Sequence, residues 1–332
     1  MSDVNRMATY VHPLAELHSP RAYRADLTIG VGQAQAHHGE LLQGVFEDPD
    51  GRLQRALVTL PFPNRTSKAR FHPSDHYWGI VGTPELTKVR RAAILALRRF
   101  SGYSVPVKGG QIEIVSDVPR GIGMGSSTSD VTATIRAVAD FYGIRLSHEE
   151  VGRLAVLAEC ASDSIMIDDR VVLFAHRAGV VLETFGPRLP PIVVVGCDGE
   201  PGVRVETLEL TQARYDDREL AAFTVMRAAL RRAVGMADVD LLGRVATASA
   251  RINQRFLAKP ALEELIALNR RLGGCGVQVA HSGTVIGLMF DGRRPDLGDT
   301  VRACAAALDE LGLPVTGTID LAVDESVPVA VR

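Results

Sequence analysis

The densest chemical signal in the chain is DVPRGIGMGSSTSDVTATI, residues 117–135. A strand-like run, QIEIVSDVP, ends at Pro119. Gly121, Gly123 and Gly125 follow, with Met124 between the last two. Glycine takes positive φ freely and lets a backbone approach a ligand closely. Ser126, Ser127 and Thr128 then open a helical stretch. A helix N-terminus leaves N–H groups unpaired and carries partial positive charge, so this arrangement suits a phosphate. No Gly-Lys-Ser/Thr occurs, so the loop is not a Walker A motif. The spacing G-x-G-x-G, with no acidic ribose ligand downstream, is not the dinucleotide-binding fingerprint either. On these residues alone, an ordinary strand-to-helix turn is the competing reading.

The elements around this loop form a mixed pattern. Strand-like stretches cover 25–36, 54–60 and 66–72, and VTLPFPNRTSKARFHP reads as strand, turn, strand. From Glu85 to Phe100, Leu86, Val89, Ala92, Ala93, Ala96 and Leu97 recur at helical spacing, with arginines on the other face. Ser147, with Glu150 three residues on, forms a capping box for a helix that runs toward Glu159. DRVVLFAH and AGVVLETFG read as strands and lead to a break at GPRLPP. That break places a domain boundary near 187–191, giving lobes at 25–188 and 189–332. The second lobe opens with PIVVVGCD, carries helices over 216–272 and 296–311, and closes with a strand at VTGTIDLAV. Strands and helices alternate without a regular βαβ beat, which predicts an α+β fold.

Composition narrows the class. The 332 residues are 46% hydrophobic and 23% charged, values of a globular chain with a sizeable core. A net charge of −2 offers no basic excess for nucleic acid or for a membrane surface. The four cysteines, Cys160, Cys197, Cys275 and Cys304, show no CxxC pair, which points away from zinc and toward reduced thiols in a cytoplasmic protein. Residues 1–24 read as a loosely held tail without the apolar run of a signal peptide.

The run P-x-x-x-G-x-G-S-S resembles the second motif of the GHMP kinases, where this loop wraps the ATP phosphates. GVQVAHSGTVIGLMF at 276–290 resembles the third motif, and VGQAQAHHGELLQGVF at 31–46 the first, in the family's order. Within that superfamily, G-E-L-x-Q-G at Gly39–Gly44, G-M-x-S-S-T at Gly123–Thr128, D-S at Asp163–Ser164 and V-A-H-S-G-x-V-x-G-L-M at Val279–Met289 are most similar to the L-threonine kinases of cobalamin side-chain synthesis. The resemblance covers roughly residues 25–320. It implies a two-lobed fold, with a ribosomal-protein-S5-like N-terminal domain and a ferredoxin-like C-terminal domain, and the active site in the cleft between them. It implies ATP-dependent phosphorylation of the L-threonine hydroxyl, or of a related hydroxy amino acid. Another alcohol, sugar or homoserine acceptor is the alternative, and a pseudokinase sensor a further one. A monomer or homodimer is expected, with ATP and the small acceptor as its partners.

The same resemblance implies roles for individual residues. Pro119, Gly121, Gly123, Met124, Gly125, Ser126, Ser127 and Thr128 contact the nucleotide. Mg²⁺ wants hard oxygen ligands, which the family supplies from Ser126 or Ser127 and from Glu159. Asp163 orients and deprotonates the acceptor hydroxyl, with Ser127 beside it. An Asp at this place also serves as a plain turn cap. Glu40 and Gln43 fall at the acceptor site, where a carboxylate and an amide suit an ammonium group, or else they hold a strand end. His281, Ser282 and Gly283 fall at the junction of phosphate and acceptor. Gln33–His38 departs from the family's pattern, since His37 and His38 replace small residues and set the volume and charge there. Lys88 reads as a phosphate contact or as part of a solvated face. Adenine contacts are expected from 60–70.

Overall fold

The computed structural model describes residues 29–76, 79–81, 86–101, 107–205 and 213–322. The predicted tail at 1–24 and the start of the Arg-rich helix at Glu85 lie outside them. Two long antiparallel strands, β1 (Gly30–Glu47) and β2 (Leu53–Pro73), form the spine of the fold. β3 (Ile80–Val81) is short and parallel to β4 (Gly110–Ser116), which pairs with β2. Between them lies α1 (Thr87–Phe100), and after β4 come α2 (Ser126–Phe141) and α3 (His148–Glu159). β5 (Val171–Ala175) and β6 (Val180–Gly186) form a hairpin that joins the sheet through the pair Leu57–Phe174.

Past residue 187 the chain adds β7 (Ile192–Asp198), α4 (Asp217–Met236), α5 (Val239–Asn253), α6 (Leu262–Arg271), β8 (Gly276–Val279), β9 (Val285–Asp291), α7 (Leu297–Glu310) and β10 (Val315–Asp320). The strand order is β10-β7-β9-β8-β1-β2-β4-β3. The sheet therefore runs unbroken through both lobes. Its seam is the β1–β8 contact, where Glu40 pairs with Val279. The fold is α+β and two-lobed, as expected.

The predicted helices form for the predicted reasons. Val89, Ala92, Ala93, Ala96, Leu97 and Phe100 bury one face of α1. α3 begins with the capping box: Ser147 accepts from the Glu150 N–H and Glu150 accepts from the Ser147 N–H, which satisfies two end groups. The expected strand, turn, strand at 58–73 is instead one strand. Pro63 is taken up by a bulge: Gln35 pairs with Thr66 and the next residue, Ala36, with Phe62, so that Pro63, Asn64 and Arg65 are left unpaired, while Pro61 keeps its place opposite His37.

Candidate active site

The glycine loop sits between the end of β4 and the start of α2. Gly121, Gly123 and Gly125 all have positive φ. Gly125 is the N-cap of α2, with φ 72°, and no side chain caps the helix. The first N–H groups of α2 are thus left for a ligand, and the helix dipole favours an anion there. A Cβ on Gly125 would lie 2.1 Å from the His37 ring, so only glycine fits at this place. These residues, with Met124, Ser126, Ser127 and Thr128, line a cleft of about 360 Å³. Pro119 stands in the connection that leads into the loop.

Two carboxylates face this helix start. α3 ends at Cys160, whose φ of 69° turns the chain back toward α2. Glu159, 5% exposed, accepts hydrogen bonds from Ser127 Oγ at 2.7 Å and Thr128 Oγ1 at 2.8 Å. Burial pushes its pKa up to about 7, against the pull of those two hydroxyls, and nearby Asp163 adds to the rise. Among the described residues no cation pairs with Glu159 at ion-pair distance. A buried carboxylate beside two hydroxyl oxygens is a hard-oxygen donor set of the kind Mg²⁺ takes. Asp163 lies in the connection after α3, 3.4 Å from Thr128 Oγ1.

Asp163 Oδ2 is 2.8 Å from His37 Nε2. The Gly39 N–H donates to the other ring nitrogen, Nδ1, at 3.1 Å. In the neutral ring that assigns the acceptor role to Nδ1 and the proton to Nε2, which donates to Asp163. Burial opposes ionisation of Asp163. Yet His37, by charge and hydrogen bond, with His281 and His176, outweighs burial and holds the carboxyl well below its usual range. Burial likewise opposes a charge on His37, and the carboxylates of Asp163 and Glu40 turn its shift upward. The ligand atoms of His37, Glu40 and Asp163 lie within 4.8 Å of one another. The His37 nitrogens and the Glu40 oxygens are, however, already engaged by hydrogen bonds.

Glu40 does not line the cleft. Its Oε2 accepts from the His281 N–H at 2.7 Å and its Oε1 lies 2.9 Å from His281 Nδ1. Burial opposes charge on His281, but Glu40 and then Asp163 lift its pKa to about 9. The imidazolium lines the cleft, 3.9 Å from Asp163 Oδ1. Ser282 lines it too, whereas Gly283 packs against the glycine loop: a Cβ there would meet Gly123 Cα at 2.2 Å. Thr284 and Val285 complete this junction by donating to the Ile122 carbonyl at 2.9 and 3.1 Å.

The remaining candidates fall elsewhere. Adjacent residues of a strand face opposite sides. His38 accordingly points away from His37, into the second lobe, and bonds Thr316 Oγ1 at 2.9 Å and Gln278 Nε2 at 2.7 Å. Gln43 lines a side cavity of about 110 Å³ with Arg55, His176, Arg177 and His281. Lys88 lines the phosphate cleft. Pro61, Pro63 and Asn64, from the stretch expected near adenine, line a different cavity of about 710 Å³ that shares no residue with the cleft. Sequence reading missed His176 and Arg177, which line both the cleft and the side cavity. Nothing local marks them, since a His-Arg pair after a strand is ordinary.

Family models of the GHMP kinases match in both lobes: the N terminal domain over residues 87–172 and the C terminal over 226–312. The chain is 29% identical to the L-threonine kinase of Salmonella typhimurium over 81% of its own length and 85% of the relative's. It is 29% identical to the L-threonine kinase of Citrobacter freundii over 56% of its length and 64% of the relative's, so it spans less than two thirds of that protein. The crystal structure of homoserine kinase from Cytophaga hutchinsonii overlays with a TM-score of 0.67 at 14% identity, covering 90% of this chain and 96% of that one. No described helix is long and apolar enough to cross a membrane. GHMP kinases use ATP as phosphate donor, and with both family models matched in order along one continuous sheet, this chain belongs to the GHMP kinases and is a small-molecule kinase.

Proposed function

We propose that the chain transfers the γ-phosphoryl group of ATP to the side-chain hydroxyl of L-threonine or a closely related hydroxy amino acid. The observation that carries this reading is Asp163, a buried carboxylate fixed by His37 at 2.8 Å and facing the uncapped start of α2 across one cleft. Similarity to L-threonine kinases over most of the chain supports the acceptor class.

Phosphoryl transfer passes through a loose transition state, so positioning and charge neutralisation dominate. In this reading the N–H groups at the start of α2 bind the phosphates, and Lys88 and the His281 imidazolium add positive charge. Ser126 or Ser127 and Glu159 would hold Mg²⁺, which neutralises phosphate charge when bound. Asp163 accepts a hydrogen bond from the acceptor hydroxyl and aims its oxygen at the γ-phosphorus. Its low proton affinity makes it an orienting group first. It takes the proton only late, as the new O–P bond forms and the hydroxyl becomes strongly acidic. The side cavity of about 110 Å³ beside His281 is sized for a small acceptor, and Arg55 and Arg177 on its wall suit a carboxylate.

One observation favours a second reading, a different small hydroxylated acceptor. Both Glu40 oxygens are engaged by His281, so Glu40 is not free to take an ammonium group. Acceptor-dependent ADP release decides between them, with L-threonine, L-serine, L-homoserine and no acceptor compared under Mg-ATP. Stimulation by L-threonine alone is expected. Release that none of the three amino acids stimulates, or that only L-homoserine stimulates, would sink the first reading and leave the second.

A further inference from the structure

Lys259 is one of the chain's largest fully buried side chains, only 1% exposed. It lies in the connection between α5 and α6, against the β8–β9 turn, and does not line the cleft. Its backbone is gripped by one side chain: Gln254 Oε1 accepts from the Lys259 N–H at 2.8 Å and Gln254 Nε2 donates to the Lys259 carbonyl at 2.9 Å. Its ammonium donates to the Gly283 carbonyl. No carboxylate pairs with it at ion-pair distance among the described residues. A buried ammonium with no carboxylate at ion-pair distance carries a desolvation penalty that the more distant Glu200 and Glu40 offset only in part, and an apolar side chain of similar size would avoid it. The charge has therefore been placed against stability, at the carbonyl of the glycine that touches the phosphate loop.

We infer that Lys259 is a positioning residue for the phosphate site: its ammonium, bonded to the Gly283 carbonyl, seats the His281–Thr284 turn against the glycine loop. The contacts on the other side of Gly283 show what that seating does. Gly283 meets Gly123 so closely that neither position admits a Cβ. The Ile122 carbonyl takes both the Thr284 and Val285 N–H groups. A turn that drifts from Lys259 takes Ile122 and Gly123 with it, and with them the φ angles that aim the α2 N–H groups. The charge also stands behind the turn that carries His281 and Ser282 into the cleft, where a low dielectric strengthens its pull on phosphate.

Calorimetric binding of Mg·AMPPNP, a non-hydrolysable ATP analogue, tests this without any assumption about the acceptor. Lys259→Met is expected to unfold thermally at or above the wild-type temperature, because the desolvation penalty is gone. Its Kd for the analogue is expected to rise about tenfold or more, the usual effect of losing a supporting partner behind a ligand site. Lys259→Arg keeps the charge and is expected to bind the analogue more tightly than Lys259→Met does. A Met variant that binds as tightly as the wild type overturns the inference. If that variant does not fold, the wild type supplies the test. Burial lowers the Lys259 pKa to about 8, with Glu200 and Glu40 partly offsetting it, while His281 also faces this region. Raising the pH from 7 to 9 must then weaken binding in the wild type more than in Lys259→Arg, which stays charged and shares every other group. Equal pH dependence in the two overturns the inference. A wild type that does not bind the analogue at all defeats the nucleotide-site reading together with this one, whereas a wild type that binds while Lys259→Met matches it defeats this one alone.

Discussion

Asp163 and His37 stand 126 residues apart in the chain and 2.8 Å apart in the fold. β1 brings the imidazole to the seam between the lobes, and the turn after α3 brings the carboxylate to it. Gly39 N–H on the far nitrogen leaves the near one as a donor, so the carboxylate is held ionised and in place. Asp163→Asn keeps the shape and removes the charge. It is expected to lower kcat by about 10²–10⁴, the range for a positioned acid–base group. The KM for ATP should stay near the wild-type value, since in the proposed mechanism Asp163 meets the acceptor rather than the nucleotide. Steady-state ADP release checks this, and a variant with wild-type kcat would remove Asp163 from the mechanism.

Much of this site was legible before any coordinates, and the reason is local. The glycine loop and the start of α2 lie within a dozen residues, and their chemistry depends on backbone freedom that glycine alone supplies. The capping box at Ser147 and Glu150 was equally local. What could not be read was pairing across the chain. Glu40 looked free for an ammonium group, yet the turn at His281 folds onto it and takes both oxygens. His37 and His38 looked equivalent, until strand geometry sent one to the cleft and the other into the second lobe. The prolines of β2 read as a turn because they carry no sign of the partner strand, against which β2 takes up Pro63 as a bulge.

Glu159 supplies the second prediction. Its carboxylate is buried, holds two hydroxyls and has no cation at ion-pair distance among the described residues, Lys88 acting on it only from farther off. Glu159→Gln keeps the volume and removes the negative charge. The concentration of free Mg²⁺ that half-saturates ADP release is expected to rise by at least about tenfold. EDTA should abolish turnover in both proteins. An unchanged Mg²⁺ requirement in Glu159→Gln would show that the carboxylate serves the fold and not the ion.

His38 predicts a pH dependence of stability. Burial, helped by His37, holds its pKa near 3 rather than the ordinary 6.5. The folded state therefore stays neutral at His38 while the unfolded chain takes up a proton. Stability from this position is complete above pH 6.5 and is lost as the pH falls toward 3. At pH 5 the loss from one such group is about 2 kcal/mol. His38→Gln can keep partners at Thr316 and Gln278 but does not titrate. Urea unfolding of both proteins at pH 7 and pH 5 isolates the effect, because all other groups are common to the pair. Relative to the variant, the wild type should lose about 2 kcal/mol on acidification. A difference that does not change with pH would mean that His38 charges in the folded state.

Ala237 carries the last prediction, and it concerns the fold alone. α4 ends at this residue, which adopts φ 49° and ψ 39°, the left-handed conformation that helix ends use to close their final carbonyls. An L-residue with a Cβ crowds its own carbonyl there, a strain of roughly 1–2 kcal/mol. Ala237 is exposed and makes no core contact that its methyl group would forfeit. Glycine adopts the same angles without strain but loses more freedom on folding, which returns about 0.5–1 kcal/mol of the gain. Ala237→Gly should therefore stabilise the protein by somewhat less than the strain itself, about 1 kcal/mol. Equilibrium urea unfolding would show this as a higher midpoint with an unchanged slope, while kcat and KM stay at their wild-type values because the residue does not line the cleft. A lower midpoint would mean that the entropy of glycine outweighs the strain at this helix end.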